Sequence, residues 1–355
     1  MRGLTPTSIA RSATTVATPR AARMSTTAAV RHQPAKAPAP EPSPAPSTSA
    51  SSSSPLPRRT PGTPLNAPTT SGGPHESAAY CASLVQKLDP DAWLCSYFWP
   101  RREKEWWLAI RAFNPAIAAM RFQFWRDALS AIFSDGAKPL PQHPVVVALA
   151  AARAHRPVQK YYLSQLIEAR AKAMSQPPAA STLEGHLSAA GQVASALLQG
   201  SLPLLVAPTD AGTPHLAHTL SHLAHLLTVT SLLRAVPALV AKRELNFPAD
   251  VKEQHGVVDE EVFRKGAAAD GFRDAAFTIA TRGIDELITA RRDLKKDDGK
   301  VVPAAGLPIF LSAVPAERYL KRLEQADFDV FSPQLQKHDW RLAPSIFWAA
   351  QTGKI

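Results

Sequence analysis

Four histidines recur at spacings of three, four and three residues, at His215, His218, His222 and His225. In a helix these spacings place all four imidazoles on one face, where they could ligate zinc or copper. No cysteine or carboxylate lies between residues 212 and 242, so any further ligand would have to come from elsewhere in the fold. We therefore predict a partly exposed polar helix face and no metal site.

Two pairs of aspartates have a four-residue spacing, Asp270 with Asp274 and Asp293 with Asp297. Two carboxylates on one helix face can chelate an Mg²⁺ ion that bridges a diphosphate. Basic residues surround both pairs, however, and this pattern is typical of a solvated surface laced with salt bridges. The pattern favours such a surface over a metal site. The basic neighbours are Arg273, Arg291, Arg292, Lys295 and Lys296.

The chain has two cysteines, Cys81 and Cys95, with no histidine pair beside them. Two cysteines exclude a scaffold held by several disulfides and any four-cysteine zinc or iron–sulfur site. We expect both thiols to be buried and unreactive. The sequence also lacks a glycine-rich phosphate loop, a GxSxG nucleophile elbow and an HExxH zinc motif.

The segments that must position these side chains are helical in pattern. Apolar residues recur every three or four positions from about residue 80 onward, and no alternating run is long enough to predict a sheet. The pattern predicts a single all-α domain over residues 75–355, with Pro115 as a possible kink or break. Ten helices are predicted, near residues 76–88, 90–98, 101–134, 143–154, 157–174, 181–206, 213–242, 259–265, 268–296 and 316–325.

The first 74 residues differ from the rest in composition. They contain 14 of the 33 prolines, no aromatic residue, eight basic residues and one acid. Residues 1–33 carry five arginines and no acid, which predicts a mitochondrial transit peptide. Residues 34–74 predict a disordered Pro/Ala/Ser linker. The tail contributes +7 of the total charge of +11, so the domain has too little positive charge to indicate nucleic-acid binding.

Several motifs resemble the squalene/phytoene synthase superfamily. The segment from Trp106 to Leu129, WWLAIRAFNPAIAAMRFQFWRDAL, resembles the region of its first signature. Residues 231–234 and 246–248 resemble parts of the second signature, the NILR and YLP elements. The match extends to PQHPVV at 141–146 and to the run from Phe310 to Gln336. That last run resembles one branch of the superfamily only, mitochondrial NADH dehydrogenase (complex I) assembly factor 6. The resemblance implies an isoprenoid-synthase-type helical bundle with a central apolar cavity.

The resemblance fails at the acidic positions of both signatures. The acidic positions of the second signature fall on Ala235, Ala238 and Leu239, and those of the first fall near Ala118 and Ala119. A synthase of this type ionises an allylic diphosphate, and Mg²⁺ ions held by two acidic clusters neutralise the leaving pyrophosphate. Alkyl side chains cannot ligate Mg²⁺. The resemblance therefore implies that the fold is kept and the reaction is lost, with no catalytic residue, metal or cofactor.

Four charged residues are the remaining candidates for binding. Arg234 and Arg121 are possible contacts for an anion or lipid headgroup, although for Arg234 a structural role is favoured, with its guanidinium bound by a carboxylate or a helix C-terminus. Asp327 and Asp329 alternate with apolar residues after the last predicted helix. They form either a partner surface or the outward face of a segment that closes the core.

The resemblance implies a non-catalytic assembly factor for respiratory complex I. Its expected partners are complex I subunits or assembly intermediates, and its expected location is the mitochondrial matrix, peripheral to the inner membrane. The alternative is an enzyme that binds isoprenoid diphosphates or lipids. The missing acids favour the assembly factor, whereas the apolar cavity implied by the fold keeps the alternative open.

Overall fold

A computed structural model describes residues 73–175, 182–210, 212–295 and 305–355. The predicted transit peptide and nearly all of the predicted linker lie outside these residues. Throughout the described ranges the chain forms helices and connecting turns without a strand, as the all-α prediction requires. The helices are α1 (Pro74–Leu88), α2 (Pro90–Cys95), α3 (Arg101–Ala119), α4 (Phe122–Ile132), α5 (Pro144–His155), α6 (Lys160–Ser175), α7 (Leu183–Ser201), α8 (Thr213–Val240), α9 (Ala249–His255), α10 (Asp259–Lys265), α11 (Phe272–Lys295), α12 (Leu307–Phe310), α13 (Ala313–Gln325), α14 (Pro333–Gln336) and α15 (Leu342–Thr352).

Helix α8 is the centre of the bundle. It packs along α11, α7 and α13, and α6 packs on α7. At the N-terminal side, α1, α3 and α5 pack on one another. Apolar side chains at helical spacing bury a continuous core among these helices, and its fully buried members include Phe113, Trp125, Phe272 and Phe310.

The contact between α8 and α11 is unusually close at Gly283. A Cβ atom built on Gly283 would lie 2.8 Å from a methyl carbon of Val229 and 3.4 Å from Leu320. The absence of a side chain therefore lets the two helix backbones approach each other. Apolar residues at three- and four-residue spacing along α11, from Phe272 through Ile279 to Leu294, are buried, as the helical periodicity of the sequence predicts.

Helix α11 begins later than predicted, and this corrects one acidic pair. Gly271 has φ +69°, and a Cβ there would lie 1.8 Å from the carbonyl oxygen of His255. This tight turn ends the preceding segment, so Asp270 lies in the turn and only Asp274 lies in α11. The prediction that Asp270 and Asp274 share a helix face is wrong.

The predicted helix over 101–134 is two helices. It continues through Pro115 and ends at Ala119, and α4 starts after the extended residues Met120 and Arg121. The change of direction lets α4 bury its own stripe, which includes Trp125. Helices α9, α12, α14 and α15 were not predicted. Three of them have seven residues or fewer, which is too short for a periodic signal.

Helix α8 is long and apolar enough to cross a membrane by length and composition. The core helix of a folded bundle passes the same test, and half of the most apolar window of α8 is buried by its neighbours. Its packing against α7, α11 and α13 accounts for its composition without a bilayer.

Candidate functional site

A cavity of about 900 Å³ lies between α3, α6, α7 and α8, with α2 and the start of α13 at one end. Its apolar wall comes mainly from small and branched residues of α7 and α8, such as Val193, Leu197 and Leu227. Trp107 of α3 also lines it and stacks on Trp99 at 4.6 Å between ring centroids. The volume is that of a site for a small molecule.

Two aspartates reach this cavity from the junction of α1 and α2. Asp89 caps α2 by accepting a hydrogen bond from the Ala92 N–H at 3.1 Å, and its other carboxylate oxygen pairs with Arg111 of α3. The Arg111 guanidinium also lies 5.8 Å from the ring centroid of Trp107. The Asp89 carboxylate is thus occupied by a helix cap and an arginine.

Arg234 holds the second aspartate. Its Nη1 donates to Asp91 Oδ2 at 2.6 Å, and its Nη2 donates to the Pro315 carbonyl at 3.4 Å. The guanidinium also lies 4.7 Å from the centroid of Tyr319, whose pKa is raised to about 12 by burial despite the opposing effect of Arg234. The structural ion pair favoured for Arg234 is present, and Arg234 nevertheless lines the cavity.

The charged lining of the cavity is predominantly positive. Arg170 and Lys172 of α6 join the two arginines, so four cationic and two anionic side chains give a net charge of +2. Arg170 donates to the Asn114 side-chain oxygen at 3.0 Å, and burial lowers the pKa of its guanidinium. The cavity is therefore less uniformly apolar than the resemblance implied, and its charge favours an anionic ligand over a metal cation.

Only some of the positions that align with the acidic motifs line the cavity. Ala235 and Leu239 line the cavity, whereas Ala238 is exposed and does not. Ala118 and Ala119 are exposed at the end of α3, outside the cavity lining. Within the described ranges, no three metal-ligating side chains gather in the cavity.

Arg121 also lies outside the cavity. It is an exposed residue in the turn before α4. The proposed contact of Arg121 with an anion therefore gains no support from this cavity.

Asp327 and Asp329 meet a partner within the chain. Arg273 of α11 donates to Asp327 Oδ2 at 2.5 Å, and its other terminal nitrogen lies 3.9 Å from Asp329 Oδ2. Asp329 also accepts a hydrogen bond from the Phe331 N–H at 2.9 Å. The apolar side chains pack inward, since Val330 is buried and the Phe331 ring lies 5.7 Å from that of the buried Phe272. Both acids thus help to attach this segment to α11.

The histidine face of α8 meets carboxylates of α11. Glu286 accepts from His222 Nδ1 at 2.5 Å and from His225 Nδ1 at 2.9 Å, and Arg282 binds it at 2.6 Å. Burial would raise the pKa of Glu286, but these three hydrogen-bond donors outweigh burial and lower the pKa to about 2. Asp293 Oδ2 lies 3.7 Å from Nε2 of both His218 and His222. We call these five histidine, glutamate and aspartate residues the histidine–carboxylate cluster: His218, His222, His225, Glu286 and Asp293.

One sequence expectation is corrected by this cluster. Asp293 was predicted to lie on a solvated surface, yet its exposed fraction is 6%, and Glu286 on the same helix is 4% exposed. Their burial depends on the histidines of α8, which face them across the helix contact. The sequence did show the four histidines on one helix face. Because buried imidazoles need hydrogen-bond partners, that face indicated acidic or polar residues on the helix that packs against it. Asp297, the other member of that acidic pair, lies outside the described residues.

The cysteines are buried, as predicted. Burial raises the pKa of both thiols to about 12, so neither is a thiolate near neutral pH. Cys95 donates to the Leu311 carbonyl at 3.7 Å and lines the cavity without being reactive.

The amino-acid sequence of this chain is similar to those of named proteins from other organisms. The chain is 31% identical over 304 residues to the rat protein named NADH dehydrogenase (ubiquinone) complex I, assembly factor 6, covering 82% of this chain and 87% of that protein. It is 30% identical over 288 residues to the Drosophila melanogaster homologue of the same name, covering 76% and 82%.

Solved structures of squalene-type synthases share the fold. A dehydrosqualene synthase superposes with a TM-score of 0.67 at 14% identity, covering 78% of this chain and 96% of that one. The squalene synthase HpnC from Alicyclobacillus acidocaldarius gives 0.60 at 17% identity, covering 72% and 96%. Residues 99–342 match the family model described as squalene/phytoene synthase. The chain therefore belongs to the squalene/phytoene synthase family, in the branch of the complex I assembly factor 6 proteins.

Proposed function

We propose that this protein is a non-catalytic assembly factor for respiratory complex I. The observation that carries the proposal is its similarity to proteins bearing that name, at 31% identity over 87% of the length of the rat protein. Its partners are complex I subunits or assembly intermediates. It acts in the mitochondrial matrix, peripheral to the inner membrane.

The polar groups of the cavity support the loss of prenyl synthase activity. Ionisation of an allylic diphosphate requires metal ions that neutralise the departing pyrophosphate. Asp89 and Asp91 are each engaged by an arginine, and Ala235 and Leu239 present only alkyl groups to the cavity. Recruiting either aspartate to Mg²⁺ would require breaking its ion pair and leaving an arginine unpaired.

Exposed aromatic side chains support a surface that contacts another protein. Tyr97 is 62% exposed, and on the C-terminal segment Trp340 and Trp348 are 71% and 69% exposed. Phe347, at 54%, lies next to Phe98 with 6.4 Å between ring centroids. Large exposed aromatic groups are enriched at interaction surfaces, where they bury much area at low entropic cost.

A complementation experiment tests this function. In cells that lack the protein, the full chain should restore complex I, measured by native gel electrophoresis and NADH oxidation. The double variant Trp340→Ser, Trp348→Ser should fold but fail to restore it. Tyr161→Ser is the matched control, because Tyr161 is 63% exposed on α6. Complex I that stays normal without the protein would refute the proposal.

Import depends on the N-terminal segment in this proposal. Residues 1–33 act as the transit peptide and 34–74 as a linker to the domain. A reporter fused to residues 1–50 should enter mitochondria and be cleaved. A reporter that stays in the cytosol would contradict this assignment.

Loss of catalysis has its own test. The purified protein should release no pyrophosphate from farnesyl or geranylgeranyl diphosphate in the presence of Mg²⁺. Turnover that Asp89→Asn or Asp91→Asn abolishes would show that the cavity is still an active site. Turnover sensitive instead to Asp274→Ala would place the active site at α11.

The positive cavity favours a second function, which is the binding of an anionic isoprenoid or lipid without turnover. Its net lining charge of +2 and volume of about 900 Å³ suit a phosphorylated apolar molecule. Farnesyl diphosphate should then bind without Mg²⁺, and Lys172→Gln should weaken binding several-fold. No binding at millimolar concentration would exclude this function.

A further inference from the structure

Two imidazoles and a carboxylate converge where α8 faces α11. Nε2 of His218 and Nε2 of His222 each lie 3.7 Å from Asp293 Oδ2. The two imidazole rings stand at right angles, with 5.0 Å between their centroids. One ligand atom from each of the three residues lies within 4.8 Å of the ligand atoms of the other two.

These separations are close to those of a tetrahedral metal site. Zinc binds histidine nitrogen and carboxylate oxygen at about 2.0–2.2 Å, which places neighbouring ligand atoms roughly 3.3 Å apart. The two histidine–Asp293 separations of 3.7 Å would have to shorten by about 0.4 Å each, and that between the two imidazoles, which is at most 4.8 Å, by up to about 1.5 Å. His218 has room for this movement, since its side chain is 64% exposed.

Glu286 fixes the orientation of the His222 imidazole. It accepts a hydrogen bond from Nδ1 of His222 at 2.5 Å, so the proton sits on Nδ1 and the Nε2 lone pair faces His218 and Asp293. A metal-ligating histidine almost always has such a carboxylate or carbonyl partner on its other nitrogen. Glu286 is itself fixed by Arg282 at 2.6 Å, so the orientation of His222 is set before any ligand arrives.

The packing of the helices holds the two halves of the cluster at a fixed distance. His218 and His222 are one turn apart on α8, and Asp293 is on α11. The close approach at Gly283 and Val229 presses these two helices together within the core. A ligand therefore does not have to bring the helices together, which reduces the reorganisation that binding requires.

We propose that His218, His222 and Asp293 form a binding site for a divalent transition-metal ion of the zinc class. Two imidazole nitrogens favour zinc, cobalt or nickel over Mg²⁺ or Ca²⁺, which prefer oxygen ligands. Three protein ligands leave a fourth position on the side of the exposed His218, for water or a side chain of a partner. The site lies on the α8–α11 face and is independent of the proposed assembly role.

Zinc titration of the full chain, without a polyhistidine tag, tests the proposal. Competition with a fluorescent zinc chelator should give one tight equivalent per chain. Zinc at 100 times its dissociation constant should raise the unfolding midpoint by roughly 5 °C. Because protons compete for imidazole nitrogen, affinity should fall on acidification.

Variants separate this site from adventitious binding. His218→Ala removes an exposed side chain and should fold normally, yet it should weaken zinc binding by more than about 100-fold. That loss exceeds the effect of removing a residue that only hydrogen-bonds to a metal ligand. His338→Ala is the matched control, since His338 is also exposed and lies outside the cluster. It should leave affinity unchanged.

A second measurement tests the buried ligand Asp293. Cobalt bound to the wild-type chain should show the visible absorption of a four-coordinate ion. Asp293→Asn should abolish this absorption, provided that circular dichroism shows that the helices of the variant are intact. Should Asp293→Asn unfold the chain, His218→Ala decides alone. The proposal is overturned if the wild type binds no stoichiometric zinc, or if His218→Ala binds as tightly as the wild type.

Discussion

Replacing Glu286 with glutamine tests how much the histidine–carboxylate cluster stabilises the fold. Glu286 is 4% exposed and accepts hydrogen bonds from His222, His225 and Arg282. Its pKa falls from 4.5 to about 2 in the folded chain. At about 1.4 kcal/mol per pKa unit, this difference corresponds to a free energy of about 3 kcal/mol at neutral pH.

The sign of the pH dependence follows from the lowered pKa. The stabilisation is fully present above the ordinary pKa of 4.5 and is lost as the pH falls toward the folded value of about 2. Glu286→Gln should therefore lower the free energy of unfolding by about 3 kcal/mol at pH 7. The gap between wild type and variant should close progressively between these two pKa values.

Urea unfolding followed by circular dichroism at several pH values measures this gap. Thermal midpoints at pH 7 should differ by roughly 6–10 °C. Asp285→Asn is the matched control, because Asp285 is the exposed neighbour on α11, and it should change stability by less than about 0.5 kcal/mol. A loss below about 0.5 kcal/mol for Glu286→Gln, or a gap that does not change with pH, would refute the reasoning.

Two further substitutions test the packing of α11. Gly283→Ala should lower the free energy of unfolding by about 1 kcal/mol, because the steric cost of a Cβ atom 2.8 Å from Val229 exceeds the gain in helix propensity. Urea unfolding measures this difference, and a variant more stable than the wild type would contradict the prediction. Asp327→Asn with Asp329→Asn should cost no more than about 1 kcal/mol, since the ion pair with Arg273 is largely exposed. If that double variant folds yet fails to restore complex I, the two acids belong to a partner surface, and full restoration would remove them from it.

Much of the architecture could be predicted from the periodicity of apolar residues. The long helices α7, α8 and α11 each show apolar residues at helical spacing, and their ends fall within five residues of the prediction. The break between α3 and α4 was not predictable, because the continuous apolar pattern gives no sign of the extended residues Met120 and Arg121. Short helices such as α12 are made by tertiary packing.

The polar groups of the sites were harder to predict, because their partners are distant in sequence. Asp89 and Asp91 flank a proline at a helix junction and look like ordinary capping residues. Glu286 lies three residues after Gly283 and four before Ala290, so helical spacing permits its burial, but its own sequence neighbourhood gives no sign of the histidines that satisfy the carboxylate. The histidine spacing was visible in the sequence, but the carboxylates that meet it lie more than 60 residues away.

The ion pair between Asp91 and Arg234 in the cavity lining also bears on the order of folding. Asp91 and Arg234 are separated by 143 residues, so one wall of the cavity closes only when α2 and α8 are both in place. Contacts of such long range carry a large loop-closure entropy and form late relative to local helix pairs. Until then the cavity stands open and its apolar walls remain exposed to solvent, so the chain is most prone to aggregate during this interval.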